Sequence, residues 1–130
     1  MKPFVIIPAF NEEKTIGKVV KSALQYVPNV LVADDGSSDN TSLIAKKAGA
    51  EVIQSPNNLG YDGILEMGFQ SAVNKGATIL ISMDADGQHP PEVIEDMIRL
   101  VQINDFDIVV GIRKELPRLS ERIFAFFTNI

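Results

Sequence analysis

The 130-residue sequence has no cysteine. That removes disulfide frameworks and thiol chemistry, and it fits a reducing compartment. No apolar run approaches the roughly 18 residues that a membrane-spanning helix needs. The apolar stretch after Met1 is too short for a secretory leader, so the expected location is cytoplasmic, with membrane association left to a longer parent chain. Positive charge is also scarce: 12 Lys and Arg against 17 Asp and Glu give a formal net charge of −5. Apart from a mild cluster between Arg113 and Arg122 the basic residues are scattered, which excludes an extended nucleic-acid surface. Two phosphate-binding signatures are missing as well, the glycine fingerprint of dinucleotide folds after the first apolar run and the P-loop pattern. Any phosphate must therefore be held by a metal, by backbone amides or by a few placed cations.

What is present is an alternation of short apolar runs and amphipathic stretches. Strands are predicted at 4–7, 30–33, 51–54, 78–83 and 107–111, and helices over 12–25, from about 39 to 47, and over 62–74 and 91–103. The first helix carries an apolar stripe of Ile16, Val19, Val20, Ala23 and Leu24, with Asn11 as its expected N-cap. Strand and helix alternating at this spacing predict an α/β fold, a mostly parallel sheet with helices on both faces. Ile123, Phe124, Ala125, Phe126 and Phe127 read as the start of an amphipathic helix, in a C-terminal segment 112–130 expected to protrude. An open apolar patch there favours self-association into a homo-oligomer.

Three clusters of turn residues follow strand ends. Residues 8–12 bring Phe10, residues 34–39 bring Asp34 and Asp35, and residues 84–88 bring Asp84 and Asp86. In an open α/β sheet the carboxyl ends of the strands share one edge, so these clusters are expected to converge on one crevice. Asp84 and Asp86, two residues apart at a strand end, repel each other unless a hard divalent cation such as Mg²⁺ or Mn²⁺ joins them, and Gln88 adds an amide oxygen nearby. A solvated Asp-Gly turn capping the next helix is the alternative. A calcium loop is excluded, because His89 stands where its glycine is required. Phe10 offers either a face for a base or a hydrophobic staple, and Asp35 either a base or ribose acceptor or a turn residue.

Pro8-Ala9-Phe10-Asn11-Glu12-Glu13, Asp34-Asp35-Gly36-Ser37-Ser38-Asp39-Asn40-Thr41 and Asp84-Ala85-Asp86-Gly87-Gln88-His89-Pro90-Pro91-Glu92, in this order, resemble the family 2 glycosyltransferases of GT-A fold. The last motif is similar to that of the dolichyl-phosphate mannosyltransferase branch. The resemblance implies a Rossmann-like, nucleotide-sugar-binding half of a GT-A domain, with 1–130 as a single truncated domain. It implies a metal-dependent inverting transfer of sugar from a UDP- or GDP-linked donor to a polyprenyl-phosphate or glycan acceptor. The acceptor-side base is then expected to lie outside this chain, and the alternative is a nucleotide-binding or oligomerising module without activity. Residue by residue, the resemblance implies that Pro8, Ala9, Phe10, Glu12, Asp35, Asp84, Ala85 and Arg113 bind the nucleotide sugar and that Asp84, Asp86 and Gln88 hold the metal. Phe10 replaces the family's usual Tyr, while Tyr61, Asp62 and Glu66 replace its usual Lys, second Gly and Arg.

Overall fold

The computed structural model describes residues 1–105 throughout, and from there on the backbone of two strands, Ile108–Lys114 and Arg122–Thr128. The chain divides into two compact units, Met1–Pro91 and Glu92–Ile130.

The first unit contains β1 (Pro3–Ala9), α1 (Ile16–Leu24), β2 (Asn29–Asp34), α2 (Thr41–Ala48), β3 (Glu51–Gln54), α3 (Gly60–Asn74) and β4 (Ile79–Ser82). Its four strands are all parallel and lie in the order β3-β2-β1-β4. The two central strands are apolar and almost wholly buried, as a strand covered on both faces must be. The edge strands β3 and β4 are partly exposed.

Alternation along the strands assigns the faces. Phe4, Ile6 and Leu31 cluster with Ala72 of α3, and Leu65 and Phe69 of the same helix pack against that cluster. Val5, Ile7, Val30 and Val32 point the other way and are equally buried. There α1, which buries Ile16, Val19, Val20 and Ala23, packs on α2, and both helices touch β2. Contact between α3 and the sheet is close enough to require a glycine. A Cβ on Gly68 would stand 2.7 Å from Ile6 Cγ2 and 3.3 Å from Ala33 Cβ.

Chain order fixes where a ligand crevice lies. From β1 the chain steps outward to β2 and β3, and then crosses to the opposite side of β1 to form β4. β1 and β4 are thus neighbours where the chain order reverses, which is where a crevice is expected at the carboxyl edge of the sheet.

The second unit contains α4 (Val93–Asn104), β5 (Ile108–Lys114) and β6 (Arg122–Thr128). β5 and β6 pair antiparallel as a two-stranded sheet, with Gly111 opposite Ala125, and α4 packs against β5. The helix expected to begin at 123–127 is thus a strand. A run of five apolar residues, β-branched or aromatic except for one alanine, is too short for its period to separate strand from helix, and its composition favours the strand. The fifth strand, expected at 107–111, runs Ile108–Lys114.

The first helix also differs from expectation. It begins at Ile16 with Thr15 as N-cap, not after Asn11. Asn11 takes a left-handed conformation, φ 51°, and its side-chain oxygen accepts the Ser38 N–H at 2.9 Å, so it ties two loops together instead of capping a helix.

Candidate active site: an acidic cleft at the edge of the sheet

A cleft of about 400 Å³ opens at the carboxyl edge of the four-stranded sheet, lined by residues from all three turn clusters. β1 and the loop after it supply Pro8, Ala9, Phe10 and Glu12. Asp35 comes from the end of β2, Tyr61 and Ile64 from α3, and Asp84, Ala85 and Asp86 from the loop after β4.

The loops after β1 and β2 are stitched to each other. Asn11 N–H donates to Ser37 Oγ at 2.8 Å, Glu12 N–H to Thr41 Oγ1 at 2.9 Å and Glu13 N–H to Asp39 Oδ2 at 3.2 Å. Asp39 in turn accepts the Thr41 hydroxyl and, at 2.9 Å, the Thr41 N–H. Desolvation is the largest influence on the Asp39 carboxyl and raises it. The hydrogen bonds from Thr41 and Glu13 together outweigh that and hold its pKa below the usual carboxylate value.

The paired acids at the end of β2 divide the work. Asp34 is fully buried and turns away from the cleft; it accepts Ser37 N–H at 2.9 Å, the Ser37 hydroxyl at 2.5 Å and the Ser42 hydroxyl. It therefore locks β2 to α2. Asp35, 4% exposed, accepts Leu59 N–H at 2.7 Å on one oxygen and Gly60 N–H at 2.9 Å on the other. These amides open α3, where donors lack partners inside the helix and a negative charge is favoured. Gly60, at φ +80°, makes the turn that presents its N–H. Each Asp35 oxygen keeps a second lone pair.

The loop after β4 is held just as closely. Met83 N–H continues the ladder to Ile6 O at 3.0 Å, and Thr15 Oγ1 donates to Ala85 O at 2.7 Å. Gly87, at φ +80°, lets the loop turn, and Gln88 N–H donates to Asp86 Oδ1 at 2.9 Å. His89 braces Asp84 twice. Its Nδ1 accepts the Asp84 N–H at 3.1 Å, and its Nε2 lies 3.4 Å from Asp84 Oδ2, an arrangement that assigns the proton to Nε2. Tyr61 reaches the other Asp84 oxygen at 3.4 Å. Desolvation raises the Tyr61 phenol; a hydrogen bond from Ser82 opposes this, while the charges of Asp84 and Asp62 push the same way, and the balance is upward.

Of the residues singled out from sequence, Pro8, Ala9, Phe10, Glu12, Asp35, Asp84, Ala85 and Asp86 all meet at this cleft. Phe10 is 47% exposed, so its ring is not spent on packing against the following helix. Gln88 is not among the lining residues and is exposed. Arg113 lies on β5 in the second unit, and its side chain is outside the described residues. Tyr61, Asn58, Ile64 and Thr15 carried no local signal that marked them for the site. Tyr61 stood out only as a departure from the family pattern.

The charge balance of the cleft is one-sided. Glu12, Asp35, Asp84 and Asp86 are four carboxylates, and no Lys or Arg is among the lining residues. Such a wall repels a diphosphate unless a cation comes with it. Among the described residues no group of three or more His, Cys, Asp or Glu side chains could hold a metal by itself. Two carboxylates in an open cleft suit an ion that completes its shell with phosphate oxygens and water.

A parallel α/β sheet with an acid- and aromatic-lined crevice at its switch point defines a ligand-binding domain of the doubly wound class. The family 2 glycosyl transferase profile matches residues 4–117, and the chain belongs to that family. An uncharacterized protein of Methanocaldococcus jannaschii is 42% identical over 134 residues, covering 97% of this chain and 55% of that protein. The UDP-N-acetylglucosamine–dolichyl-phosphate N-acetylglucosaminyltransferase of Methanococcus voltae is 35% identical over 133 residues, covering 88% of this chain and 53% of that enzyme. The chain thus spans about half the length of these curated relatives. Among solved structures, glucosyl-3-phosphoglycerate synthase from Mycobacterium tuberculosis, in complex with Mn²⁺, UDP-glucose and phosphoglyceric acid, superposes with a TM-score of 0.68 at 25% identity, over 80% of this chain and 40% of that one. The fold is therefore that of the GT-A glycosyltransferases. Among the described residues no helix is long and apolar enough to cross a membrane.

Proposed function

We propose that residues 1–130 form the donor-binding part of one GT-A domain, in a metal-dependent enzyme that transfers a sugar with inversion from a nucleoside diphosphate to a polyprenyl-phosphate or glycan acceptor. The observation that carries this reading is the meeting of Phe10, Asp35, Asp84 and Asp86, from three separate strand ends, around one cleft. The Mn²⁺, UDP-glucose and phosphoglyceric acid bound by the mycobacterial neighbour, and the UDP-N-acetylglucosamine and dolichyl phosphate of the Methanococcus voltae relative, support the choice of a sugar nucleotide, a divalent metal and a phosphorylated lipid or small phosphorylated acceptor.

In this reading the exposed face of Phe10 stacks on the base, and the spare lone pairs of Asp35 accept a base N–H. Pro8, Ala9, Glu12 and Ala85 shape the wall between base and phosphates. Asp84 and Asp86 would hold Mg²⁺ or Mn²⁺, which supplies Lewis-acid stabilisation of the charge that develops on the diphosphate as it leaves. By family resemblance Gln88 adds to the metal site and Arg113 to the donor phosphates. An acceptor oxygen forms the new bond to the anomeric carbon as the bond to the diphosphate oxygen breaks. The electron pair leaves with the nucleoside diphosphate, and the acceptor proton passes to a base on the acceptor side of the whole protein. Homo-oligomers formed through the apolar segment 123–127 belong to the same proposal, and sedimentation velocity reads them out.

Isothermal calorimetry with UDP, GDP and their sugars, with and without Mn²⁺, tests the donor site. Heat of binding that requires Mn²⁺ and disappears in Asp86→Asn is expected. Absence of binding by both nucleotides ends the proposal. Sugar transfer by this chain alone would extend the proposal from donor binding to catalysis.

A further inference from the structure

Thr15 joins the start of α1 to a distant loop. It is the N-cap of α1, where a threonine oxygen ordinarily accepts an N–H from the first turn and contributes about 1 kcal/mol to the helix, yet it makes no side-chain cap hydrogen bond. Its hydroxyl instead crosses to the loop after β4 and donates to the carbonyl of Ala85 at 2.7 Å. Glu12 Oε2, at 3.2 Å, competes for the same single proton from farther away.

Ala85 is the residue between the two cleft acids, and it is buried. The contacts of Asp84 N–H with His89 and of Gln88 N–H with Asp86 stay within the loop. They set its curvature without setting its distance from the opposite wall. The Thr15 bond supplies that distance. It runs from the start of a helix whose next residue, Ile16, is fully buried, to the midpoint of the acid pair. The Thr15 hydroxyl thus ties the start of α1 to a loop that carries two repelling acids, across 70 residues of sequence.

We infer that Thr15 is a positioning residue: its hydroxyl, acting through the Ala85 carbonyl, fixes the turn on which Asp84 and Asp86 present their carboxylates to a divalent cation and a nucleoside diphosphate. The inference rests on the donor-site reading above and adds to it a residue that does not line the cleft.

The test compares wild type, Thr15→Val and Thr15→Ser. Affinity for Mn²⁺ is measured by the paramagnetic resonance of the free ion, affinity for UDP and GDP by calorimetry with and without Mn²⁺, and folding by thermal melts. Thr15→Val keeps the shape and loses the donor, and Thr15→Ser keeps the donor. Losing one net hydrogen bond predicts Mn²⁺-linked nucleotide binding weaker by about fivefold to tenfold in Thr15→Val. Nucleotide binding without metal should be unchanged, and Thr15→Ser should restore the loss. Thr15→Ala replaces Thr15→Val should the latter not fold. Wild-type affinity in the donor-less variant, or an equal loss in Thr15→Ser, overturns the inference and leaves the donor site standing. If wild type itself binds neither nucleotide with Mn²⁺, the donor-site reading fails and takes this inference with it.

Discussion

Asp35 is the residue at which fold and site are hardest to separate, and Asp35→Asn separates them. In the native protein each carboxylate oxygen accepts one backbone N–H, Leu59 at 2.7 Å and Gly60 at 2.9 Å, in a place only 4% exposed. Asparagine can accept one of these donors; its amide NH₂ then faces the other, leaving donor against donor. A charge-assisted hydrogen bond contributes about 1.5–3 kcal/mol, and a buried unsatisfied N–H costs about 1–3 kcal/mol. Because Gly60 N–H also donates to Asn58 Oδ1 at 3.0 Å, the unsatisfied-donor cost is only partly incurred, and the total is about 2–4 kcal/mol. At about 4 °C per kcal/mol for a chain of this size, the melting midpoint falls by about 8–16 °C. Asp86→Asn is the control. Its side chain is exposed and its Oδ1 still accepts the Gln88 N–H, so its midpoint should stay near wild type. Thermal melts followed by far-ultraviolet circular dichroism read both. An Asp35→Asn midpoint within about 2 °C of wild type would refute the claim that this carboxylate organises the start of α3.

Three further predictions draw on other parts of the fold. Gly68→Ala gains about 1 kcal/mol in helix propensity but sets a methyl 2.7 Å from buried Ile6 Cγ2, with Ala33 close on the same side. Overpacking should win and destabilise the chain by about 1–2 kcal/mol net in urea titration, and a rise in stability would contradict the packing described. Asp39 has a folded-state pKa below its unfolded value, so the stability it adds is present above the unfolded pKa and is lost as pH falls through the folded one. The melting gap between wild type and Asp39→Asn should therefore close on acidification below about pH 4, and a gap that stays constant would contradict the hydrogen-bond pattern. With only two tyrosines in the chain, Tyr26→Phe isolates Tyr61. Its ultraviolet titration should show a midpoint above 10.0, and a midpoint below that value would contradict the desolvation and the neighbouring carboxylates of Asp84 and Asp62 that raise it.

The four parallel strands and the convergence of their loops were legible because both follow from short-range pattern. Apolar runs of strand length alternate with 3.6-residue stripes, and parallel connectivity sends every βα turn to one edge. Asp35, Asp84 and Asp86 could be placed together on that argument before any contact was known. What was not legible depends on where a side chain spends its hydrogen bonds. Asn11 has the composition of an N-cap, but its oxygen goes to Ser38 across 27 residues, so α1 starts four residues later than expected. Thr15 gives no local sign that its hydroxyl reaches Ala85, 70 residues away. Tyr61 enters the cleft because Asp35 holds the start of α3, an effect invisible in the neighbourhood of residue 61. The strand at 122–128 is decided by pairing with β5, whereas its sequence alone fits either period.

Crystals soaked with Mn²⁺ and either UDP or GDP, measured at a wavelength where manganese scatters anomalously, address the acid pair and the cleft together. The account predicts one anomalous peak within coordination distance of Asp84 or Asp86, bridged to a diphosphate whose base lies against Phe10 and Asp35. A nucleotide bound elsewhere on the fold, or a manganese peak away from both carboxylates, would contradict it.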